Sequence, residues 1–189
     1  MYTSAVLTVL RNVGFPTDVV SWGTNLAFCD GQNNSIWIYT GVDSTKMAQT
    51  TGTWSTATLS LLSGGNTPTQ GLYAEGASST ARFWEPLGIT YNPDSAVLYV
   101  ADFRNRVIRS VNPSTGFTTL MVGKQAQAAS IVDGLTTVAV LVGPTNLVYN
   151  NLAVYFSDRN PTTGDGDGAF RVWYTSTNQV RTLVGQATR

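Results

Sequence analysis

EGASSTARFWEPLGITYNPDSAVLYVADFRNRVIRSVNPSTGFTTLMVGK, Glu75 to Lys124, is a loop followed by four short β-type runs. The runs are Gly88–Tyr91, Val97–Ala101, Val107–Val111 and Phe117–Val122. Each is rich in β-branched and aromatic residues and is bounded by Pro, Gly, Asn or Asp. That is the pattern of strands joined by tight turns.

The rest of the chain repeats this unit. Gly134 lies ten residues before Pro144, as Gly76 lies ten before Pro86, and Asp133 and Glu75 precede those glycines. LGITY matches TNLVY, which ends at Tyr149. LYVAD, ending at Asp102, matches VYFSD, ending at Asp158. VIRSV matches FRVWY, and TTLMVG, ending at Gly123, matches RTLVG, ending at Gly185. A further copy starts upstream at Pro16, with TDVVSW, LAFCD ending at Asp30, SIWIYT, and TLSLLSG ending at Gly64. Four strands in about 45 residues is the size of one β-propeller blade.

The repeat resembles the NHL repeat of β-propellers. That consensus runs from an acidic-Gly loop through a small residue and Phe to Pro. A hydrophobic strand, a YVAD-like strand, an Asn-Arg-Ile-like strand and a closing TLxG follow. Leu98 to Asp102, then Asn105 to Arg109, is a close match, whereas Phe28-Cys29-Asp30 and Phe156-Ser157-Asp158 match loosely. The resemblance covers nearly the whole chain and implies a propeller ring, most often of six blades.

The expected fold is therefore all-β, an NHL-type propeller of about three four-stranded antiparallel blades plus one leading strand. Residues 1–14 read as the last strand of a preceding blade, 15–64 as the first blade and 65–84 as an inter-blade loop. Residues 85–124 are the second blade, 125–142 a loop and 143–189 the third blade. No segment shows convincing helical periodicity; 125–131 reads as a loop with at most a turn of helix. Extra length goes into loops at 41–55 and 160–168, where insertion costs little closure entropy. Three blades and one strand do not close a ring. Either the chain is an excerpt of a longer one, which the leading strand Ala5–Gly14 favours, or another subunit completes it. An open array would expose the apolar sides of its end blades.

Composition narrows the function classes. Hydrophobic residues make up 42% of the 189 and charged residues only 12%. The surface is then polar through Ser, Thr, Asn and Gln, a composition commoner outside the cell than inside it. Eleven basic and eleven acidic residues leave no net charge, against a nucleic-acid binder. No run has the length of a membrane-spanning helix, and the N-terminus does not read as a signal peptide. The single cysteine, Cys29, forms no intrachain disulfide and reads as a small buried hydrophobe.

Histidine is absent. This removes imidazole bases, Ser-His-Asp and Cys-His catalysis, and the histidine-bound metal of NHL-like amidating lyases. Asp30, Asp102 and Asp158 recur once per blade. They read as caps accepting backbone N–H bonds in the connection to the third strand, rather than as a carboxylate ring for a cation. On that reading, Asp102→Ala costs roughly 1–3 kcal/mol. Pro16, Pro86, Pro144, Gly76 and Gly134 complete the structural repeat positions. Asp165 and Asp167 are weak candidates for a calcium loop, because the full loop and its terminal Glu are missing. Asn33-Asn34-Ser35 is a glycosylation sequon in an expected turn. Arg104, Arg106 and Arg109 form the only basic cluster and read as solvated strand-end arginines pairing with turn carboxylates. The strand aromatics read as blade packing rather than a carbohydrate platform, with Trp84, Arg104 and Arg106 as surface contacts.

The functional expectation is a non-catalytic module for protein–protein interaction or assembly, extracellular or surface-associated, with no cofactor. Its partner is a protein or another copy of itself; carbohydrate stays open, and nucleic acid and membrane insertion are not expected. Three alternatives stand beside it: a structural subunit of an extracellular oligomer or filament completed between chains, a fragment of a propeller enzyme whose site lies in other blades, and an RNA-binding propeller.

Overall fold

The structure, a computed structural model, describes residues 13–41, 58–65, 71–125, 131–160 and 168–185. Every regular element in them is a β-strand. The first sheet holds β1 (Pro16–Trp22), β2 (Asn25–Asp30), β3 (Ser35–Thr40) and β4 (Thr58–Gly64). The second holds β5 (Pro86–Asn92), β6 (Val97–Asp102), β7 (Val107–Val111) and β8 (Thr118–Gly123). Two-residue β9 (Gly134–Leu135) precedes β10 (Pro144–Asn150), β11 (Ala153–Arg159), β12 (Gly168–Tyr174) and β13 (Gln179–Gly185). Each sheet is antiparallel in chain order, and β9 adds a fifth strand outside β13. Expected as four-stranded, the third sheet gains that strand because the incoming loop pairs with β13. In the second sheet the same loop makes only the bridge Gly76↔Thr118. The expected strand 5–14, most of the loops at 41–55, 125–131 and 160–168, and the candidates Asp165 and Asp167 lie outside the described residues.

The three sheets share one register. Pro16 faces Asp30, Pro86 faces Asp102 and Pro144 faces Asp158, each followed by a register shift. Proline opens an edge strand, where its missing N–H leaves no ladder partner wanting. Gly64, Gly123 and Gly185 close the last strands at φ 100°, 97° and 110°, and a Cβ there would meet a backbone carbonyl oxygen within 2.7 Å. Only glycine suits both conditions.

The sheets stack through their broad faces, with the first strands β1, β5 and β10 adjacent in that order. Ala27, Cys29, Ile36, Ile38 and Leu62 of the first sheet pack on Ile89, Leu98, Val100 and Val111 of the second. The other face of the second sheet, Tyr99, Ala101, Ile108 and Val122, packs on Leu147, Val154, Phe156 and Trp173 of the third. Burial at roughly 25 cal/mol per Å² makes these contacts the main source of stability. Polar bonds fix their register. Thr17 Oγ1 donates to the Pro86 carbonyl at 3.0 Å and the Ile89 N–H to Asp18 Oδ2 at 3.0 Å. Tyr149 N–H donates to Thr90 Oγ1 at 3.0 Å.

Candidate functional site

The recurring aspartates close β2 and β6 and stand one residue before the end of β11, and all three are fully buried. Their carboxylates reach mainly across to the backbone entering the first strand of their own blade. Asp30 accepts N–H bonds from Gly14 and Phe15, Asp102 from Trp84, and Asp158 from Val142 and Gly143. Asp30 alone also takes a backbone N–H of the following turn, that of Asn33 at 3.1 Å. The expected cap is corrected in place: it ties the incoming loop more than the connection to the third strand. Each carboxylate is taken up by groups of its own blade. Among the described residues, no group of three or more His, Cys, Asp or Glu side chains is placed to hold a metal ion.

Arg109 corrects a second expectation. It is fully buried, not solvated, and its NH1 meets Asp102 Oδ2 at 3.1 Å. NH1 also donates to the Arg82 carbonyl at 2.5 Å and NH2 to that of Ala74. The guanidinium lies 4.6 Å from the Phe83 ring centre and 4.8 Å from that of Tyr73. Arg171 repeats this, bonding Asp158, Asp133 and the Val140 and Val132 carbonyls at 2.8–2.9 Å. In the first blade Trp37 stands at this position; the Asn33 amide bonds Asp30 Oδ2 at 2.7 Å, as the Asn105 amide bonds Asp102 Oδ2 at 2.9 Å. The arginines therefore clamp the inter-blade loop to its blade. Burial pushes the Asp102 carboxyl up to about 6, against Arg109, the Trp84 N–H and Asn105. Burial raises the Asp158 carboxyl likewise. Burial also raises Asp30, but the N–H groups of Phe15, Gly14 and Asn33 outweigh it and its carboxyl is lowered.

Other predicted residues lie elsewhere. Arg104 pairs with Glu85 at 2.6 Å on the surface, and Arg106 sits in the β6–β7 turn at φ 59°. They do not share a strand face with Arg109, because β7 begins only at Val107. Trp84 is partly exposed and its indole covers Gly71. Cys29 is buried; burial, then Asp18, Asp102 and Asp30, raises its thiol, which donates to the Gly88 carbonyl at 3.6 Å. The thiol is packed in the core.

The feature with most functional content is the outer face of the third blade. Val148, Phe170, Leu183 and Val184 are 59%, 45%, 47% and 70% exposed. By register, Phe170 and Val184 occupy the places of Ile108 and Val122 in the second blade, which are 0% exposed. The opposite end, the outer face of the first blade, carries exposed Val19 and Leu61. Sequence reading anticipated exposed end blades without naming these residues. In register, IRSV (108–111) aligns with FRVW (170–173), one place off the match of VIRSV with FRVWY, so the equivalence of Ile108 and Phe170 was not legible in the repeat.

A groove of about 430 Å³ also opens between the first and second blades, lined in part by Trp22, Asn25, Ser60, Ser78, Ser114 and Thr115. Trp22 stacks on Tyr91 with ring centres 4.8 Å apart.

No protein family model matches the chain, and no curated protein does. Solved structures do. A Bacteroides thetaiotaomicron protein of unknown function is 18% identical at TM-score 0.62, over 93% of this chain and 37% of that one. An auxiliary nutrient binding protein of the same organism is 16% identical at TM-score 0.55, over 84% and 34%. A candidate gluconolactonase is 10% identical at TM-score 0.55, over 92% and 50%. The fold is that of a β-propeller whose ring these three blades do not close. The chain spans a third to a half of the length of these similar structures.

Proposed function

We propose that this chain is a non-catalytic, NHL-type propeller module for protein–protein interaction or assembly, working outside the cell or on its surface. The observation that carries the reading is the apolar outer face of the third blade, since exposed apolar faces of this kind mark interfaces. The absence of histidine and the full engagement of Asp30, Asp102 and Asp158 by structural partners favour binding over catalysis. Arg109 and Arg171 are spent in buried ion pairs, which weakens the RNA-binding alternative. The test is association of the full chain by sedimentation, alone and after Phe170→Glu with Val184→Arg. Association of any stoichiometry that the double substitution abolishes supports the module. A wild-type chain that stays a monomer, and that a photo-crosslinker at position 170 joins to no protein, overturns it.

A second reading is favoured by the groove at Trp22. An aromatic ring beside an amide and several hydroxyls suits a saccharide, and one similar structure is named a nutrient binding protein. Calorimetry with neutral oligosaccharides, repeated on Trp22→Ala, tests it; no heat with the wild-type chain ends it.

A further inference from the structure

We infer that the outer face of the third blade receives the first blade of a second copy, so that two chains close one six-bladed ring. The inference rests on the assembly reading above and names its partner. The chain already makes the required contact twice. The first blade presents Ile36, Ile38 and Leu62 to the second, and the second presents Tyr99, Ile108 and Val122 to the third. Both contacts run in the same sense, one kind of face meeting the other. Among the described residues, the series ends with Val148, Phe170, Leu183 and Val184 exposed on the third blade and Val19 and Leu61 exposed on the first. Those two faces are complementary by the same rule that joins neighbours within the chain.

The polar register supports the same pairing. Thr17 and Asp18 of the first blade supply the hydroxyl donor and carboxylate acceptor that bond Pro86 and Ile89 of the second. By register with the partner strands, Thr145 and Asn146 of the third blade stand where Thr17 and Asp18 stand. Asn146 is exposed, and its side-chain oxygen is the counterpart of the Asp18 acceptor. In a second copy the Val19 N–H, which here donates to its own Asp18 Oδ1, would turn to Asn146; the Thr145 hydroxyl is buried and already donates to the Ser157 carbonyl at 3.4 Å. The second blade carries Leu87 and Gly88 there, so the Thr-Asx pair belongs to the first and third blades.

Counting agrees. Two sets of the three described blades make six, within the four to eight blades typical of propellers. A two-fold axis makes the two junctions identical and leaves no bare blade face, whereas an open head-to-tail series would form a fibre.

The experiment is native mass spectrometry and sedimentation of the 189-residue chain, with negative-stain imaging. The expected result is a particle of two 20.2 kDa chains seen as a closed ring. Val184→Arg and Val19→Glu, made in separate chains, should each give a monomer with an unchanged β-sheet circular dichroism spectrum. Mixing them should restore the dimer, because one junction of the mixed ring is wholly wild-type. If either variant fails to fold, a disulfide between cysteines placed at positions 19 and 148 of different chains, formed only across copies, replaces it. A filament, a tetramer, or association only with a different polypeptide overturns this inference and leaves the module reading intact. A folded monomer without any partner overturns both.

Discussion

Asp102 and Arg109, seven residues apart in the chain, meet at 3.1 Å with both side chains shut off from solvent. The pair recurs at 2.8 Å between Asp158 and Arg171. Removing one partner of such a pair strands the other charge in a low dielectric, which costs about 3–5 kcal/mol. Arg109→Met should therefore lower stability by that order, and Asp102→Ala by more than the roughly 1–3 kcal/mol of a simple cap. Asp102→Asn combined with Arg109→Met should recover part of the loss, because no bare charge remains. Urea midpoints of the three variants measure this. A loss below about 1 kcal/mol for Arg109→Met would contradict it.

Stability should respond to pH in two opposed ways. The Asp102 carboxyl is raised to about 6 from an ordinary 3.8, so the folded chain takes its proton first. Its contribution is fully present below the ordinary value and is lost as pH rises through about 6. Asp30 and Asp133 are lowered, each because N–H and hydroxyl or amide donors outweigh burial. Their contribution is present above the ordinary value and is lost as pH falls through their folded values. Stability should thus rise from neutrality toward about pH 4 and fall below it. Asp102→Asn should flatten the upper limb in a denaturant series; an unchanged limb in that variant rules out the assignment.

At Gly88 the second and third blades pack backbone against backbone. A Cβ there would lie 1.8 Å from the Thr145 carbonyl oxygen, and a backbone atom has nowhere to move unless the blades part. Gly88→Ala should destabilise by about 1–3 kcal/mol or more through overpacking. Thermal melts would measure it, and an unchanged midpoint would mean the blades can separate freely.

Asn33 is a sequon residue whose amide is already in use, donating to Asp30 Oδ2 at 2.7 Å. Attaching a glycan would pull that amide from a half-buried cap. Mass analysis of chain made in a glycosylating host should find Asn33 unmodified, and Asn33→Ala should cost about 0.5–1.5 kcal/mol. A glycan on Asn33 without loss of stability would refute the role given to it.

Much of this fold was open to reading along the chain. The Pro–Asp spacing marks where each first and second strand meet, and the closing glycines mark where each fourth strand ends. Both are local chemistry: a residue without an N–H, and a residue free of a Cβ. Arg104, Arg106 and Arg109 could not be sorted in the same way. All three sit in one short stretch, yet Arg104 is on the surface, Arg106 turns the chain and Arg109 is buried. The register Val100↔Arg109 decides it by aiming Arg109 at the loop carbonyls of Ala74 and Arg82.

The amino-acid order by itself determined the strands, their turns and the repetition of one sheet, because these depend on neighbours a few residues apart. Only the tertiary structure decided which faces are covered. Ile108 and Phe170 are equivalent large apolar side chains on equivalent strands, yet one is enclosed and the other 45% exposed. What separates them is that the third blade covers Ile108 while no described blade covers Phe170, a property of the stack that no local stretch encodes.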